Sequence, residues 1–336
     1  MEDLQTWLKK LSPQWDKITH EELETHFEKM QPAKIIGGHR YYVYVPEKLK
    51  KKTGPHPLMV VLHGCDQEAH EIVISSKMSW LAQKEGFIVL FPDPILVGGK
   101  LEGFLNGWNW WEKDSLKRTG PEPGLIAKMI KAVRDEYPID EQAIYVCGIS
   151  AGAAMTVIMA VTYPDLISGI GICAGLHYKA AIDSDTDSAI SAMGGSTTNP
   201  FTTAKDAWNK MKKYPRTRMP VIVFQGEADA VVNPVNGHNV IEQWLAIHSL
   251  LSEDMIDPAA DPHQEVYHEP GKLRSERFVY HDKTGNALLE KWMITDMNHC
   301  WPGGQANCRY SHPLGPPATA IMWHFFRRQS QNPGIK

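Results

Sequence analysis

A short segment near the middle of the chain places a serine in a tight turn between a strand and a helix. The apolar run Ala143–Cys147 predicts a strand, Gly148–Gly152 has the pattern G-x-S-x-G, and Ala153–Ala160 predicts a helix. Small residues on both sides of Ser150 allow a sharp turn that lifts the hydroxyl above the end of a sheet. A serine hydroxyl is a weak nucleophile by itself, so the turn indicates catalysis only together with a base and an orienting acid.

Strands and helices alternate on both sides of this segment. The other predicted strands are Tyr41–Val45 (at the sheet edge), Pro57–Leu62, Phe87–Phe91 (ended by Pro92-Asp93-Pro94), Ile167–Cys173, Val221–Phe224 and Leu289–Thr295. The predicted helices are Ile72–Lys84, Gly124–Glu136, Val235–Leu250 and Ala318–Arg328. Nearly continuous apolar strands are typical of a parallel sheet covered on both faces. We therefore expect an α/β fold, a doubly wound and mostly parallel sheet with helices on both faces.

The remaining segments suggest how the chain is divided. Residues 1–33 are amphipathic and charged, which favours a helical extension that docks on the main body over a partner-binding arm. Residues 34–330 form the predicted catalytic domain. Within it, residues 176–215 are rich in Ser, Thr, Gly and Asn and follow a core strand, so we expect an insertion that forms a cap or the rim of a cleft.

Composition excludes several classes of partner. The 336 residues carry a formal net charge of −4, which gives no reason to expect binding to nucleic acid or to an anionic membrane. No apolar run approaches the ~18 residues of a membrane-spanning helix. The first residues lack the pattern of a signal peptide, so the protein either stays inside the cell or follows a removed leader. The five cysteines match no zinc pattern, and Cys300 and Cys308 are close enough to form a disulfide.

The order of residues after Ser150 provides an acid and a base. In α/β-hydrolases the acid and then the histidine follow the serine along the chain. Asp229 lies in a turn just past the strand Val221–Phe224, with Glu227 as the alternative acid. His299 follows the strand Leu289–Thr295 and precedes a Pro-Gly-Gly turn, which would bring the imidazole back to Ser150. We expect a Ser150–His299–Asp229 triad.

Two backbone N–H groups are candidates to bind the oxyanion that forms when a serine attacks a carbonyl group. One belongs to Ala151, the residue after the nucleophile, and the other to Cys65, in the loop after the strand Pro57–Leu62. Gly64 would allow the backbone to approach the substrate closely. We expect the Cys65 amide, and not its thiol, to take part.

Six segments in the right order carry a resemblance to a known family. They are Leu62–Cys65, Asn106–Trp111, Tyr145–Thr156, Tyr163–Asp165, Ala174–Gly175 and Asn298–Gly304. With these segments the chain resembles, from about Ile35 to Arg328, the catalytic domain of short-chain poly(3-hydroxybutyrate) depolymerases, esterases related to feruloyl and acetylxylan esterases. The resemblance implies an α/β-hydrolase that cleaves 3-hydroxybutyrate oligomers or related short-chain polyesters through an acyl-enzyme, without metal or cofactor.

The chain departs from the family pattern in two ways. Gly107 stands where many relatives carry a cysteine, so a disulfide from that position to Cys65 is impossible. No polymer-binding module or linker is recognisable, which favours soluble oligomers and small esters as substrates. Trp108, Trp110, Trp111 and Trp301 are candidates to line an apolar cleft.

Other functions remain open at this point. A feruloyl or acetylxylan esterase would use the same residues on plant-wall esters. A peptidase of the same fold is less favoured, because no recognition domain for peptide termini is seen in the sequence. A non-catalytic binding protein on a hydrolase scaffold is the alternative from another class. The sequence does not indicate the oligomeric state.

Overall fold

The computed structural model describes residues 3–96, 107–214, 218–251, 256–257 and 261–330. The helices are α1 Leu4–Trp15, α2 His20–Glu28, α3 Ala69–Ser76, α4 Met78–Glu85, α5 Pro121–Glu136, α6 Ala151–Thr162, α7 Thr186–Met193, α8 Pro200–Met211, α9 Val235–Leu251 and α10 Ala318–Ser330. The strands are β1 Lys34–Ile36, β2 His39–Tyr44, β3 His56–Leu62, β4 Ile88–Leu96, β5 Ile139–Ile149, β6 Gly169–Cys173, β7 Val221–Gly226, β8 His263–Tyr267, β9 Ser275–His281, β10 Ala287–Ile294, β11 Trp301–Pro302 and β12 Ser311–His312.

Within these residues the main sheet has the strand order β1-β2-β4-β3-β5-β6-β7-β10-β9-β8. The central strands from β4 to β10 pair in parallel, and the strands added at each end pair antiparallel. Parallel strands bring their carboxyl ends to one edge of the sheet, where loops carry functional residues. The predicted α/β class and the mostly parallel sheet are confirmed.

Both faces of the sheet are covered, as the apolar strands predicted. Leu58, Val60 and Leu62 of β3 enter one hydrophobic cluster, and the alternate residues Met59 and Val61 enter another. The first cluster contains side chains of α5, α6, α8 and α9, and the second contains side chains of α1, α2, α3, α4 and α10. This alternation follows from the two-residue repeat of a strand.

The N-terminal helices pack on the second of these clusters. Leu8 and Trp15 of α1 and Leu23 of α2 are buried there. The indole N–H of Trp15 also donates a 2.7 Å hydrogen bond to the carbonyl of Gly303, in the turn that follows His299. We keep residues 1–33 as a proposed extension docked on a domain of residues 34–330.

Three predicted elements differ in the structure. β2 is not the edge strand, because β1 pairs outside it. β4 continues through Pro92 to Leu96. Beyond Leu90 it pairs, among the described residues, with β2 alone, so one of its edges has no neighbouring strand. A proline, which has no N–H to donate, is tolerated at such an edge. The predicted helix Ile72–Lys84 is broken at Lys77.

The break at Lys77 has a tertiary cause. Lys77 adopts a left-handed φ of 56°, which is strained for any residue other than glycine. Its buried ammonium donates a 3.2 Å hydrogen bond to the carbonyl of Trp15 and lies 5.2 Å from the centre of that indole ring. A contact with α1 therefore offsets the local strain, and the helical periodicity around Lys77 gives no sign of it.

The segment 176–215 contains α7 and α8, which follow β6. Residue 215 and Asn106 lie outside the described residues. Among the residues that are described, no helix is long and apolar enough to cross a membrane.

Candidate active site

Ser150 occupies a strained turn between β5 and α6. Its backbone has φ 56° and ψ −124°, and its N–H donates a 3.0 Å hydrogen bond to the carbonyl of Cys173. A Cβ on Gly148 would lie 2.6 Å from the backbone carbonyl of Gly152, and a Cβ on Gly152 would collide with the carbonyls of His63 and Leu62. Only glycine fits these two positions, so the G-x-S-x-G pattern is a packing requirement of this turn.

Asp229 is buried just past the end of β7 and is fixed by three donors. The N–H groups of Val231 and Val232 bond to one carboxylate oxygen at 2.9 and 2.8 Å. Gln225 Nε2 bonds to the other oxygen at 3.2 Å. These bonds hold the carboxylate in a single orientation. Gln225 could not be predicted from the sequence, because its position on β7 gives no signal of this contact.

His299 lies against Asp229. Its Nδ1 is 2.8 Å from Asp229 Oδ2, and both side chains are buried. A carboxylate can only accept, so Nδ1 carries the proton and Nε2 of the neutral ring is left as an acceptor. Glu227, the alternative acid, is exposed and its N–H bonds to the carbonyl of Ile294. The structure therefore brings Asp229, and not Glu227, to the imidazole.

A small second sheet supports the loop that carries His299. β11 pairs with β12, and the N–H of Trp301 donates to the carbonyl of Tyr310 at 2.7 Å. The phenol ring of Tyr310 packs edge-on against the imidazole, with 6.1 Å between ring centres. The Tyr310 ring thus adds a second contact to the imidazole besides that of Asp229. Tyr310 could not be predicted from the sequence, because the pairing of β11 with β12 is only two residues long.

Ser150 and His299 line the same cavity, whose volume is about 200 Å³. Most of its walls are apolar. They are formed by Trp110, Trp111, Ile149, Leu176, the α7 residues Ala189, Ile190 and Met193, and Val231 and Val232. Thr186, Asp66, Gln67 and Tyr310 contribute polar groups. The α7 residues come from the segment that the sequence predicts as a cap or rim.

The two predicted oxyanion donors lie beside the nucleophile. Ala151 is the first residue of α6, where N–H groups have no partner within the helix, and it lines the cavity together with Cys65. A Cβ on Gly64 would lie 3.2 Å from Ser150 Cβ, so the backbone before Cys65 passes close to the serine. Burial raises the pKa of the Cys65 thiol to about 11, which keeps the thiol protonated.

The four tryptophans divide into two pairs. Trp110 and Trp111 line the cavity and pack edge to face, with 5.6 Å between ring centres. Trp108 and Trp301 are fully buried away from the cavity lining, which corrects the expectation that they contact substrate. The indole N–H of Trp108 donates a 3.0 Å hydrogen bond to the carbonyl of His63. The indole N–H of Trp301 donates a 2.9 Å hydrogen bond to the hydroxyl of Thr319.

The cysteines are free thiols, including Cys300 and Cys308, for which the sequence left a disulfide open. A Cβ on Gly107 would collide with Cys65 Sγ, so the two positions are adjacent. In the described part of the chain, no group of three or more His, Cys, Asp or Glu side chains could hold a metal ion.

Comparisons with known proteins agree with this geometry. Residues 40–267 match the family model described as Esterase PHB depolymerase. A poly(3-hydroxyalkanoate) depolymerase C of Paucimonas lemoignei is 30% identical over 267 residues, which cover 79% of this chain and 59% of the relative. Acetylxylan esterase A of Emericella nidulans is 29% identical over 212 residues, which cover 62% of this chain and 66% of the relative. The chain thus spans about three fifths of the length of these relatives.

Solved structures share the fold. An acetyl xylan esterase from Aspergillus awamori superposes with a TM-score of 0.67 at 21% identity, covering 86% of this chain and 94% of the other. An S-formylglutathione hydrolase from Agrobacterium tumefaciens gives 0.52 at 14% identity, covering 86% and 90%. These likenesses confirm the predicted α/β-hydrolase fold.

Proposed function

Since the chain belongs to the Esterase PHB depolymerase family, we propose that it is a serine hydrolase of carboxylic esters. The observation that carries the proposal is that Ser150, on a strained strand-to-helix turn, shares one cavity with His299, whose ring is held by Asp229. A nucleophile, a base and an orienting acid in this relation are what acyl transfer requires.

The proposed reaction proceeds through an acyl-enzyme. His299 Nε2 takes the proton of the Ser150 hydroxyl as its oxygen attacks the ester carbonyl, and Asp229 stabilises the imidazolium that forms. The amides of Cys65 and Ala151 bind the oxyanion. The bond to the alcohol oxygen breaks, the alcohol leaves with the proton from His299, and a water activated by the same imidazole releases the acid and restores Ser150.

The cavity supports a small acyl group as the substrate portion bound next to Ser150. Its volume of about 200 Å³ lies below the roughly 300–1,000 Å³ of sites for drug-sized ligands. Trp110, Trp111, Leu176 and Met193 give it an apolar lining. Short-chain acyl esters and soluble 3-hydroxybutyrate oligomers fit this description, and a depolymerase among the relatives supports the second.

An acetylxylan esterase is the second candidate. Relatives of that name are similar to this chain, and an acetyl group is the smallest acyl group that the cavity could accept. A feruloyl esterase would need the cavity to take a bulky aromatic acid, which its small volume does not favour. A non-catalytic binding protein would have no physical need for a serine on a strained turn and a histidine held by a carboxylate in the same cavity.

The test is a hydrolysis panel with the full chain and its Ser150→Ala variant. The substrates are p-nitrophenyl acetate and butyrate, 3-hydroxybutyrate dimers and trimers, acetylxylan and methyl ferulate. We expect turnover of the short p-nitrophenyl esters and the oligomers, and loss of all of it in the variant. Turnover of acetylxylan without the oligomers would select the second candidate. No turnover of any ester by the folded chain would contradict the proposal.

A further inference from the structure

Gln67 is a buried polar side chain in the wall of the cavity that has no role in the mechanism described above. It lies in the loop after β3, two residues beyond Cys65, and only 1% of its surface is exposed. It lines the same cavity as Ser150 and His299. Glutamine is rarely buried unless both the oxygen and the NH₂ group of its amide have hydrogen-bond partners.

One half of the Gln67 amide has a partner and the other half does not. Its Oε1 accepts a 2.9 Å hydrogen bond from the N–H of Gly64. An N–H can bond only to the oxygen of the amide, so this contact fixes which end is which. The Nε2 group is buried and has no hydrogen-bond partner among the residues that the structure describes. A buried donor left unpaired is destabilising, which points to a partner that arrives from outside the chain.

The amide lies close to the reacting centre. A Cβ placed on Gly64 would be 3.2 Å from Gln67 Oε1 and 3.2 Å from Ser150 Cβ. Gln67 and Ser150 therefore flank the same glycine, which precedes the proposed oxyanion donor Cys65. The contact with Gly64 engages the Oε1 end of the amide and leaves the NH₂ end without a partner beside the cavity that Gln67 lines.

We propose that Gln67 Nε2 is a third hydrogen-bond donor to the carbonyl oxygen of the substrate, in addition to the amides of Cys65 and Ala151. The inference rests on the proposed ester hydrolysis at Ser150. As that oxygen becomes negative, a donor that is already desolvated and fixed in place stabilises it without reorganisation. The transition state thus supplies the partner that Nε2 lacks in the free protein.

A purely structural role makes a different prediction. If Gln67 served only to hold the N–H of Gly64, an acceptor at Oε1 would be sufficient and Nε2 would not be needed. Gln67→Glu keeps that acceptor and removes the donor, whereas Gln67→Met removes both at similar length. Gln329→Met is the matched control, because Gln329 is also buried but lies on α10 and does not line the cavity.

The experiment measures kcat/KM for p-nitrophenyl acetate at neutral pH, with active sites titrated by a fluorophosphonate so that unfolded protein is not counted. The wild-type rate and its loss in Ser150→Ala first establish the proposed function independently. We then expect Gln67→Glu and Gln67→Met each to lower kcat/KM by about 100-fold, the loss typical of one oxyanion donor. Gln329→Met should retain the wild-type rate.

The inhibition constant Ki of a transition-state analogue separates the two roles, because a purely structural role of Gln67 would leave it unchanged in Gln67→Glu. A methyl trifluoromethyl ketone forms an oxyanion with the serine, so its Ki should rise by the same factor as kcat/KM falls. The rate of Gln67→Glu relative to wild type should also recover as the pH is lowered, because a protonated carboxyl can donate. If Gln67→Glu matches wild type in rate and Ki while Gln67→Met does not, Gln67 acts only through Gly64 and the donor assignment is wrong. Wild-type rates in both variants would also overturn it.

Discussion

At the scale of single residues, the site consists of an imidazole fixed by a carboxylate that is itself fixed from three sides. Asp229 bonds to His299 at 2.8 Å, and two backbone N–H groups and Gln225 hold the carboxylate. The chain order of Ser150, Asp229 and His299 could be predicted because each follows the end of a strand. Gln225, Gln67 and Tyr310 could not, because their contacts depend on side-chain directions at the sheet edge.

Replacing the carboxylate tests its role. We expect Asp229→Asn to lower kcat by roughly 10⁴-fold, because an amide at this position favours the wrong tautomer of the imidazole. Glu227→Gln is the matched control, since Glu227 is two residues away and exposed. The measurement is kcat for p-nitrophenyl acetate in both variants. A larger loss in the Glu227 variant would assign the acid to Glu227.

At the scale of secondary structure elements, α7 forms part of the cavity wall. Ala189 and Met193 line it together with Trp110 and Trp111. The sequence indicated an insertion at 176–215 without a clear period, and so predicted a cap or rim but no helix. An eight-residue helix leaves too short a periodic pattern to recognise. Both Trp108 and Trp110 are buried, and tertiary contacts likewise decide that Trp110, and not Trp108, lines the cavity.

A larger side chain on α7 should restrict the enzyme to substrates with shorter acyl groups. We expect Ala189→Phe to lower kcat/KM for p-nitrophenyl butyrate about tenfold more than for the acetate, equivalent to ~1.4 kcal/mol of transition-state binding. Ser191→Phe adds the same ring to an exposed position on the same helix and should leave this ratio unchanged. An unchanged ratio in Ala189→Phe would remove α7 from the acyl site.

At the scale of the whole molecule, burial lowers the pKa of several histidines, three of them to about 3 or 4. Burial lowers the pKa of His26 and His177 to about 4 and that of His248 to about 3, from an ordinary value of 6.5. The unfolded chain therefore binds more protons than the folded chain between these values. It follows that the free energy of unfolding falls as the pH falls below 6.5, and that these groups add nothing to this dependence above it.

His248 offers the clearest test of this acid sensitivity. Its Nε2 accepts a 3.2 Å hydrogen bond from the N–H of Met219, which protonation would break. We expect His248→Gln, which keeps an acceptor, to show a smaller loss of Tm between pH 6.5 and 4.5 than wild type. His281→Gln, at an exposed position, is the control and should follow the wild-type curve. Parallel curves for all three proteins would show that His248 is not the cause.

The central claim is that Ser150 is a nucleophile activated by His299. The most direct measurement is labelling of the full chain with a fluorophosphonate, followed by peptide mapping of the modified residue. We predict one label per chain, located on Ser150, and a labelling rate that falls by orders of magnitude in His299→Ala because the base is missing. A folded protein that is not labelled, a label on another residue, or an unchanged rate in His299→Ala would contradict the account.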